Sequence, residues 1–209
     1  MEIKYPRFSW RLLRNFLLST AIPIALFTFL LAHSYQKEYN ADVSTLVSTT
    51  LDTTARNLHT YLAELEQASL MPYYEESFFS ILGRIRQKGG VPNTLDRMDL
   101  ERSIGNPLSF SQYTRDDIVD TLIANENGGL FYTTSLINCS LDTDYAFEQS
   151  DWYQAAIEKQ GKAVFFPSSS MEYLVPENDN FQNPKVLSVV RSIVNLKTRQ
   201  PLCVIKIDA

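Results

Sequence analysis

The most apolar stretch of the chain lies near its start. Residues 15–35 open with NFLLSTAIPIALFTFLLA, which carries no charged side chain and lies between Arg14 and Lys37. About 20 helical residues at roughly 1.5 Å each cross the ~30 Å hydrocarbon core of a bilayer. We therefore predict a transmembrane helix over residues 15–35. The alternative is a cleaved signal peptide, since Ala32-His33-Ser34 resembles a small-x-small cleavage site, but the apolar run exceeds the about 7–15 residues usual for a signal core.

A second periodic pattern follows directly. Between residues 36 and 70 apolar side chains recur every three to four positions, with charged and amide side chains between them, which predicts an amphipathic helix running on from the transmembrane helix. The recurring positions are Val43, Leu46 or Val47, Leu51, Thr54, Leu58, Leu62 and Leu65. Such a helix can pack on its own domain, and it can also pass a displacement to the membrane. Both interpretations stay open.

Proline and glycine divide the next part of the chain. Pro72 ends the long helix, and residues 73–87 predict a shorter helix with an aromatic and aliphatic face. We expect residues 88–115 to be looser, because this stretch concentrates residues that interrupt regular structure. They are Gly89, Gly90, Pro92, Gly105 and Pro107.

The second half of the chain changes to a period of two. Two strand-like runs, 117–125 and 130–137, flank Asn127-Gly128, which is a strong hairpin signal. A short helix follows, capped by Ser150 or Asp151 and closed by Gly161. Three further strands are predicted at 162–166, 186–194 and 202–208, with a long polar loop from Pro167 to Pro184. This order predicts an α+β fold built on an antiparallel five-stranded sheet with flanking helices.

Charge is distributed unevenly between the two ends. The chain carries a net charge of −5, but residues 1–14 alone carry +3, which leaves −8 for the remainder. Basic residues before an apolar span place the N-terminus in the cytoplasm and the remainder outside. An acidic folded part also argues against nucleic-acid binding. We therefore predict a cytoplasmic segment 1–14, the transmembrane helix 15–35, a stalk helix 36–70 and an extracytoplasmic domain 71–209.

Catalytic and metal-binding patterns are missing from the sequence. Ser168-Ser169-Ser170 has no accompanying base, because the two histidines, His33 and His59, lie in the other half of the chain. Neither a phosphate-binding glycine motif nor ligand spacing for a metal or cofactor occurs. Cys139 and Cys203 are too few for a disulfide framework, and a buried free thiol or a single bridge both remain open for Cys203. We expect no enzymatic activity and no cofactor.

Two segments of the second half resemble a known family. The segments DWYQAAIEKQGKAVFFPSS (151–169) and PKVLSVVRSIVNLKTRQPLCVIKID (184–208) resemble the Cache domain, a PAS-like extracytoplasmic sensor. The shared pattern is a short helix with a Trp-Tyr pair, a glycine, a strand, a loop and a hairpin ending in Asp. The basic start, Ile22-Pro23 and residues 60–82 look like the N-terminus of YesM-type sensor histidine kinases. Membrane-bound AraC-type regulators begin in a similar way.

This resemblance implies a function and its limits. It implies a small-molecule sensing module of a membrane signal-transduction receptor of the two-component type, forming a homodimer through the long helix. Double Cache receptors continue into a second lobe and a kinase, whereas this sequence ends at Ala209, so we expect a fragment or a truncated product. Amino-acid-binding Cache receptors carry an arginine where this chain has Ser150, which argues against an amino-acid ligand.

The resemblance also implies a ligand pocket between the sheet and the elements over its open face. Its residues would be Trp152, Tyr153, Phe165, Ser168, Tyr173 and Arg191. Trp152 and Tyr153 are adjacent on a helix, so they cannot face the same core. Strand alternation places the cation of Arg191 among apolar neighbours, where it needs a partner. A protein carboxylate such as Asp151, a bound anion and exposure at the sheet edge all remain open.

Two other functions compete with sensing. The chain could be an interaction module that pairs with receptors or with a solute-binding protein through its helix. A secreted or anchored hydrolase is the weakest hypothesis, because no nucleophile and base occur together.

Overall fold

The computed structural model describes residues 7–142 and 144–209, except for the side chains of residues 7–12, 110–112, 168 and 169. The predicted cytoplasmic segment therefore begins with residues outside the described part. The chain divides into two units, Met1–His59 and Thr60–Ala209. Each is described below by itself.

The first unit consists, in its described part, of the helix α1 (Arg7–Ala68), whose last turns belong to the second unit. Within the described residues this is the one helix long and apolar enough to cross a membrane, and its apolar window has a mean hydropathy of 1.9 with no side chain buried. Pro23 lies inside it without interrupting it. The long N-terminal helix predicted from the sequence is confirmed.

The second unit contains more helix than the sequence pattern indicated. After a 3₁₀ turn at Met71–Tyr74, α2 (Glu76–Gln87) forms as predicted. The expectation of a looser segment at 88–115 is wrong, because this segment forms α3 (Thr94–Leu100), a π-helical turn (Glu101–Gly105) and α4 (Asn106–Thr114).

The local sequence explains this difference. A capping box starts α3: Asn93 Oδ1 accepts from the Asp96 amide at 2.8 Å, and Asp96 Oδ2 accepts from the Asn93 amide at 3.3 Å. Pro107 follows the π-helical turn Glu101–Gly105 by two residues, and irregular helical turns of this kind accompany proline inside a helix. Gly105 lies against the ring of Phe131, so its small size serves packing. Gly89, Gly90 and Pro92 therefore lie between α2 and α3, whereas Gly105 and Pro107 lie where the π-helical turn joins α4.

The remaining chain forms two antiparallel sheets. The larger has the strand order β2-β1-β7-β6-β4, and the smaller pairs β3 with β5. Their bounds are β1 (Asp120–Asn125), β2 (Gly128–Thr134), β3 (Cys139–Leu141), β4 (Val164–Ser170), β5 (Leu174–Pro176), β6 (Lys185–Val194) and β7 (Pro201–Asp208). The predicted α+β fold with a five-stranded antiparallel sheet is confirmed, and so is the hairpin, in which Asn125 pairs with Gly128. The prediction of one long loop from Pro167 to Pro184 is wrong, since it contains β5 and the end of β4.

The five-stranded sheet is covered on both faces. One face, here called the helix face, packs against α2, α3, α4 and the end of α1, and it presents residues such as Ile123, Val189 and Ile205. The opposite face, here called the α5 face, packs against the helix α5 (Asp151–Glu158) and the smaller sheet, and it presents residues such as Leu122, Val190 and Val204. Because side chains alternate along a strand, each strand contributes to both cores.

Candidate ligand-binding site

The position of α5 over the sheet follows from its sequence. Ser150 is the extended residue before the helix, and its hydroxyl donates to the Phe147 carbonyl at 2.6 Å. Tyr153 and Ala156, three residues apart, form the buried face of the helix. The helix ends where Gln160 (φ 47°) and Gly161 (φ 91°) adopt left-handed backbone conformations. The first residue with a left-handed backbone conformation after α5 is therefore Gln160, whereas the sequence pattern predicted Gly161.

A cavity of about 330 Å³ opens between α5 and the sheet. We call it the α5 cavity. Its lining combines aromatic rings with hydroxyl, amide, carboxylate and ammonium groups, a mixture common in small-molecule sites. The lining residues are Tyr145, Gln149, Ser150, Asp151, Trp152, Phe166, Ser170, Glu172, Tyr173, Ser188 and Lys206. Of the residues predicted from the resemblance, the structure brings Trp152 and Tyr173 together here.

A buried polar cluster lies at the floor of this cavity, around Asp208 at the end of β7. The Asp208 carboxylate accepts from the hydroxyls of Ser188 and Tyr173 and from the Lys206 ammonium. All four side chains are buried within the α5 face. We call these residues, together with Asp120, the Asp208 cluster. Its hydrogen bonds fix the carboxylate and the ammonium in place.

Lys206 also lies against two aromatic rings. Its Nζ is 4.8 Å from the ring centre of Tyr173 and 5.8 Å from that of Trp152. Both distances are within the range of cation–π attraction. The ammonium is therefore held by a carboxylate from one side and by ring faces from others.

Asp120 is the uncompensated member of the cluster. It stands directly opposite Asp208 in the β1–β7 register, it is buried, and neither of its carboxylate oxygens has a hydrogen-bond partner among the described residues. Burial raises the pKa of Asp120 well above its usual range, and the negative charge of Asp208 raises it further, against the opposing effect of Lys206. Burial, and then the charges of Asp208 and Asp120, also raise the pKa of the Tyr173 phenol. The surroundings thus favour the protonated forms of both Asp120 and Tyr173.

The structure places the other predicted residues elsewhere. Tyr153 lines a second cavity of about 270 Å³ on the far side of α5, together with Ile85 and Cys203. Burial raises the pKa of Tyr153 to about 12. Phe165 packs on the helix face, and its neighbour Phe166 reaches the α5 cavity. The backbone of Ser168 belongs to β4, and its side chain lies outside the described residues.

Arg191 lies on the helix face, away from the α5 cavity. Its Nε donates to the Ser69 hydroxyl at 2.8 Å, its Nη2 to Glu66 Oε1 at 3.1 Å, and its Nη1 to the Gly161 carbonyl. The sequence left the partner of Arg191 open. The structure shows that the partner is a protein carboxylate, but this carboxylate belongs to Glu66 of α1 and not to Asp151. Cys139 and Cys203 are both free thiols.

Sequence reasoning missed most of the Asp208 cluster. The signal was present, because Lys206 and Asp208 stand two positions apart in a strand and Ser188 stands between Leu187 and Val189 in another. With a period of two, such polar residues share one sheet face with the apolar residues of the core. The antiparallel register then brings Asp120, Asp208 and Ser188 side by side.

Comparison with known proteins yields structural neighbours and no sequence relatives. No protein-family model matches the chain, and no curated protein is similar to it in sequence. The ligand-binding domain of the Campylobacter jejuni chemoreceptor Tlp3 with L-valine aligns with a TM-score of 0.48 at 14% identity, covering 76% of this chain and 56% of that one. The isoleucine-bound sensory domain of the same receptor gives a TM-score of 0.48 at 14% identity, covering 76% and 55%.

A third neighbour comes from another receptor. The ligand-binding domain of the Pseudomonas aeruginosa amino-acid chemoreceptor PctC, in complex with GABA, aligns with a TM-score of 0.37 at 15% identity, covering 71% of this chain and 59% of that one. The chain thus spans little more than half the length of each of these domains.

Proposed function

We propose that this chain is the extracytoplasmic, Cache-type sensing module of a membrane receptor, and that it binds a small molecule in the α5 cavity. The observation that carries the proposal is the Asp208 cluster at the floor of an aromatic-lined cavity. A buried ion pair contributes little net stability, because desolvation offsets its attraction. A buried ammonium that borders a cavity, next to titratable groups with raised pKa values such as Asp120 and Tyr173, is in contrast typical of a binding site.

The same geometry suggests how binding would reach α1. Strand β6 carries Ser188 on the α5 face and Arg191 on the helix face, three residues apart. A ligand that displaces the cluster would move β6, and Arg191 would transmit that movement to Glu66 and Ser69 at the end of α1. The proposed output is a change at this helix end, relayed to a kinase of the two-component type, while the chain itself has no catalytic role.

Binding can be tested directly on the full chain in lipid nanodiscs. We expect some member of a library of sugars, amino acids and organic acids to raise the unfolding temperature and to bind in calorimetry. Trp152→Ala should abolish that binding, since it removes a wall of the cavity, whereas Leu196→Ala, in an exposed turn, should leave it unchanged. A folded protein that binds nothing, or a ligand indifferent to Trp152→Ala, would contradict the proposal.

The proposed topology places the N-terminus in the cytoplasm and residues 36–209 outside. It rests on the basic residues that precede the apolar part of α1. Leu196 is 69% exposed, so Leu196→Cys offers an accessible thiol on the sensing unit. A membrane-impermeant maleimide should label this variant on intact cells beyond the level seen with the natural cysteines. Labelling only after permeabilisation would reverse the orientation.

A homodimer through α1 is part of the proposal. The apolar residues of the stalk, among them Val47, Leu51 and Leu58, are exposed in the single chain. Hydrophobic repeats of this spacing pair helices in parallel. Leu51→Cys should therefore cross-link two chains on mild oxidation, whereas Thr53→Cys, about 200° around the helix, should not. Equal cross-linking of both variants would count against a specific helix pair.

A further inference from the structure

The ammonium of Lys206 lies between the Asp208 carboxylate and the rings of Tyr173 and Trp152. We propose that Lys206 fills, from within the protein, the ammonium position of the α5 cavity, so that the cavity accepts an uncharged, hydroxyl-bearing ligand and rejects an ammonium-bearing one. This inference rests on the proposed function, since it names the ligand class of the same cavity.

The surroundings of Lys206 are those of an ammonium-binding site. The side chain is 5% exposed, and its Nζ donates to both oxygens of Asp208 and, at 3.5 Å, to the Tyr173 hydroxyl. The faces of Tyr173 and Trp152 lie against it. A carboxylate combined with aromatic faces is the arrangement by which proteins hold ligand ammonium groups. Here the three N–H donors of the Lys206 ammonium already occupy this arrangement.

A second cation at the floor would find Asp208 already paired with Lys206, while Asp120 is not among the lining residues and its raised pKa favours its uncharged form. It would lie beside the Lys206 ammonium in a site of low dielectric, where repulsion between like charges is strong. Asp208 cannot compensate for it, because this carboxylate already accepts from Ser188, Tyr173 and Lys206. An ammonium-bearing ligand is thus excluded from the floor.

Anions are disfavoured for a separate reason. The carboxylates of Asp151 and Glu172 also line the α5 cavity, and Lys206, the one cation among its described lining residues, is neutralised by Asp208. What the described lining still offers is hydroxyl and amide hydrogen bonding from Gln149 and Ser170, and the ring of Phe166. These groups suit a neutral ligand whose hydroxyls accept and donate while its C–H surface lies against a ring.

The test uses pairs of probes that differ by one group. We choose glucose with glucosamine, and glycerol with 2-amino-1,3-propanediol, because each pair exchanges a hydroxyl for an ammonium. Calorimetry is performed on the full chain in nanodiscs, on Lys206→Met and, as a matched control, on the exposed Lys162→Met. We expect wild type and Lys162→Met to bind no amine, or to bind it at least tenfold more weakly than its hydroxyl partner. Lys206→Met, which leaves Asp208 and the rings for the probe, should gain at least tenfold in amine affinity.

Each outcome decides the question. The inference is supported if Lys206→Met binds an amine that wild type does not bind, even where no hydroxyl probe of the panel binds wild type. It is overturned if wild type binds an amine as tightly as its hydroxyl partner and Trp152→Ala removes that binding, or if a folded Lys206→Met gains no amine affinity. The library screen is independent: a ligand found there, without gain by Lys206→Met, leaves the sensing function standing and removes this inference alone.

Folding of the variant is protected by a second substitution. Lys206→Met leaves Asp120 and Asp208 opposite each other without a cation. Asp120→Asn combined with Lys206→Met removes one of these carboxylates and keeps the Asp208 side chain for the probe. If the single variant does not fold, the same gain in amine affinity is expected for the double variant measured against Asp120→Asn, and its absence overturns the inference.

Discussion

Arg191 on β6 and Ser69, directly after α1, share a buried hydrogen bond of 2.8 Å between the guanidinium Nε and the serine hydroxyl. The same guanidinium binds Glu66, which is half exposed, and the Gly161 carbonyl. One side chain therefore joins the sheet to the end of α1 and to the turn after α5. These contacts link β6 to the segments on both sides of it in the second unit.

Removal of this guanidinium should be costly. Arg191→Met leaves the buried Ser69 hydroxyl and the Gly161 carbonyl without their donor, for which we expect a loss of about 2–4 kcal/mol in the free energy of unfolding. Glu66→Gln should cost about 1 kcal/mol or less, because Glu66 is half exposed. Urea unfolding of the full chain measures both.

The control for this prediction is an ion pair at the surface. Arg84 and Asp99 pair at 2.6 Å, but their side chains are 50% and 37% exposed. Arg84→Met should therefore change stability little. A cost for Arg84→Met equal to that of Arg191→Met would show that the buried contact has no special role.

Asp120 should make stability depend on pH. Its raised pKa means that the folded state binds the proton more tightly than the unfolded chain does. Stability is therefore lost as the pH rises from the unfolded value of about 3.9 towards the raised folded pKa, and the penalty is constant above it. The Asp120→Asn side chain cannot ionise. We therefore expect the free energy of unfolding of this variant at pH 7 to exceed that of wild type by on the order of 1–2 kcal/mol.

The advantage of Asp120→Asn should shrink towards pH 4, because wild-type Asp120 is then protonated in both states. Thermal unfolding at several pH values measures this gap. The exposed Asp116→Asn serves as the control and should show no comparable gain. A constant difference between Asp120→Asn and wild type at all pH values would contradict the assignment.

Lys206 and Asp208 should behave as a coupled pair. Lys206→Met and Asp208→Asn each leave an uncompensated buried charge, for which we expect about 3–5 kcal/mol of destabilisation. The double variant should cost at least about 2 kcal/mol less than the sum, because it removes both charges. Lys159→Met, at a lysine that is 54% exposed and paired with the exposed Glu158, is the control and should change stability little. Additive effects in the double variant would mean that the two side chains do not interact.

Two glycines of one segment should respond in opposite ways to alanine. Gly83 lies within α2 with open space around it, so Gly83→Ala should stabilise the fold by about 0.5–1 kcal/mol. Gly90 has φ of 85°, and an added Cβ would lie 2.1 Å from Asn127 Nδ2. Gly90→Ala should therefore destabilise by about 1–3 kcal/mol. Thermal unfolding compares the two, and equal shifts would contradict the backbone argument.

Local patterns predicted most of the elements. The apolar run and the three-to-four spacing predicted the long helix, the Asn127-Gly128 pair predicted the hairpin, and alternation predicted β6 and β7. The helices between residues 94 and 114 were missed, although the Asn93 and Asp96 pair carried a capping-box signal. Glycine and proline in this segment indicate interruption of a helix, and their positions relative to the helix ends cannot be known before the helices are.

The sequence by itself determined the class of the protein's parts: an apolar helix followed by an α+β unit, because hydrophobic periodicity is a local property that every segment carries with it. Only the tertiary structure decided which side chains meet. It placed Arg191 against Glu66 and not Asp151. The α5 cavity is lined by Phe166 and not by the predicted Phe165. Asp120, Lys206 and Asp208 come together in one buried cluster. Strand register and layer packing set these distances, and both depend on residues far apart in the chain.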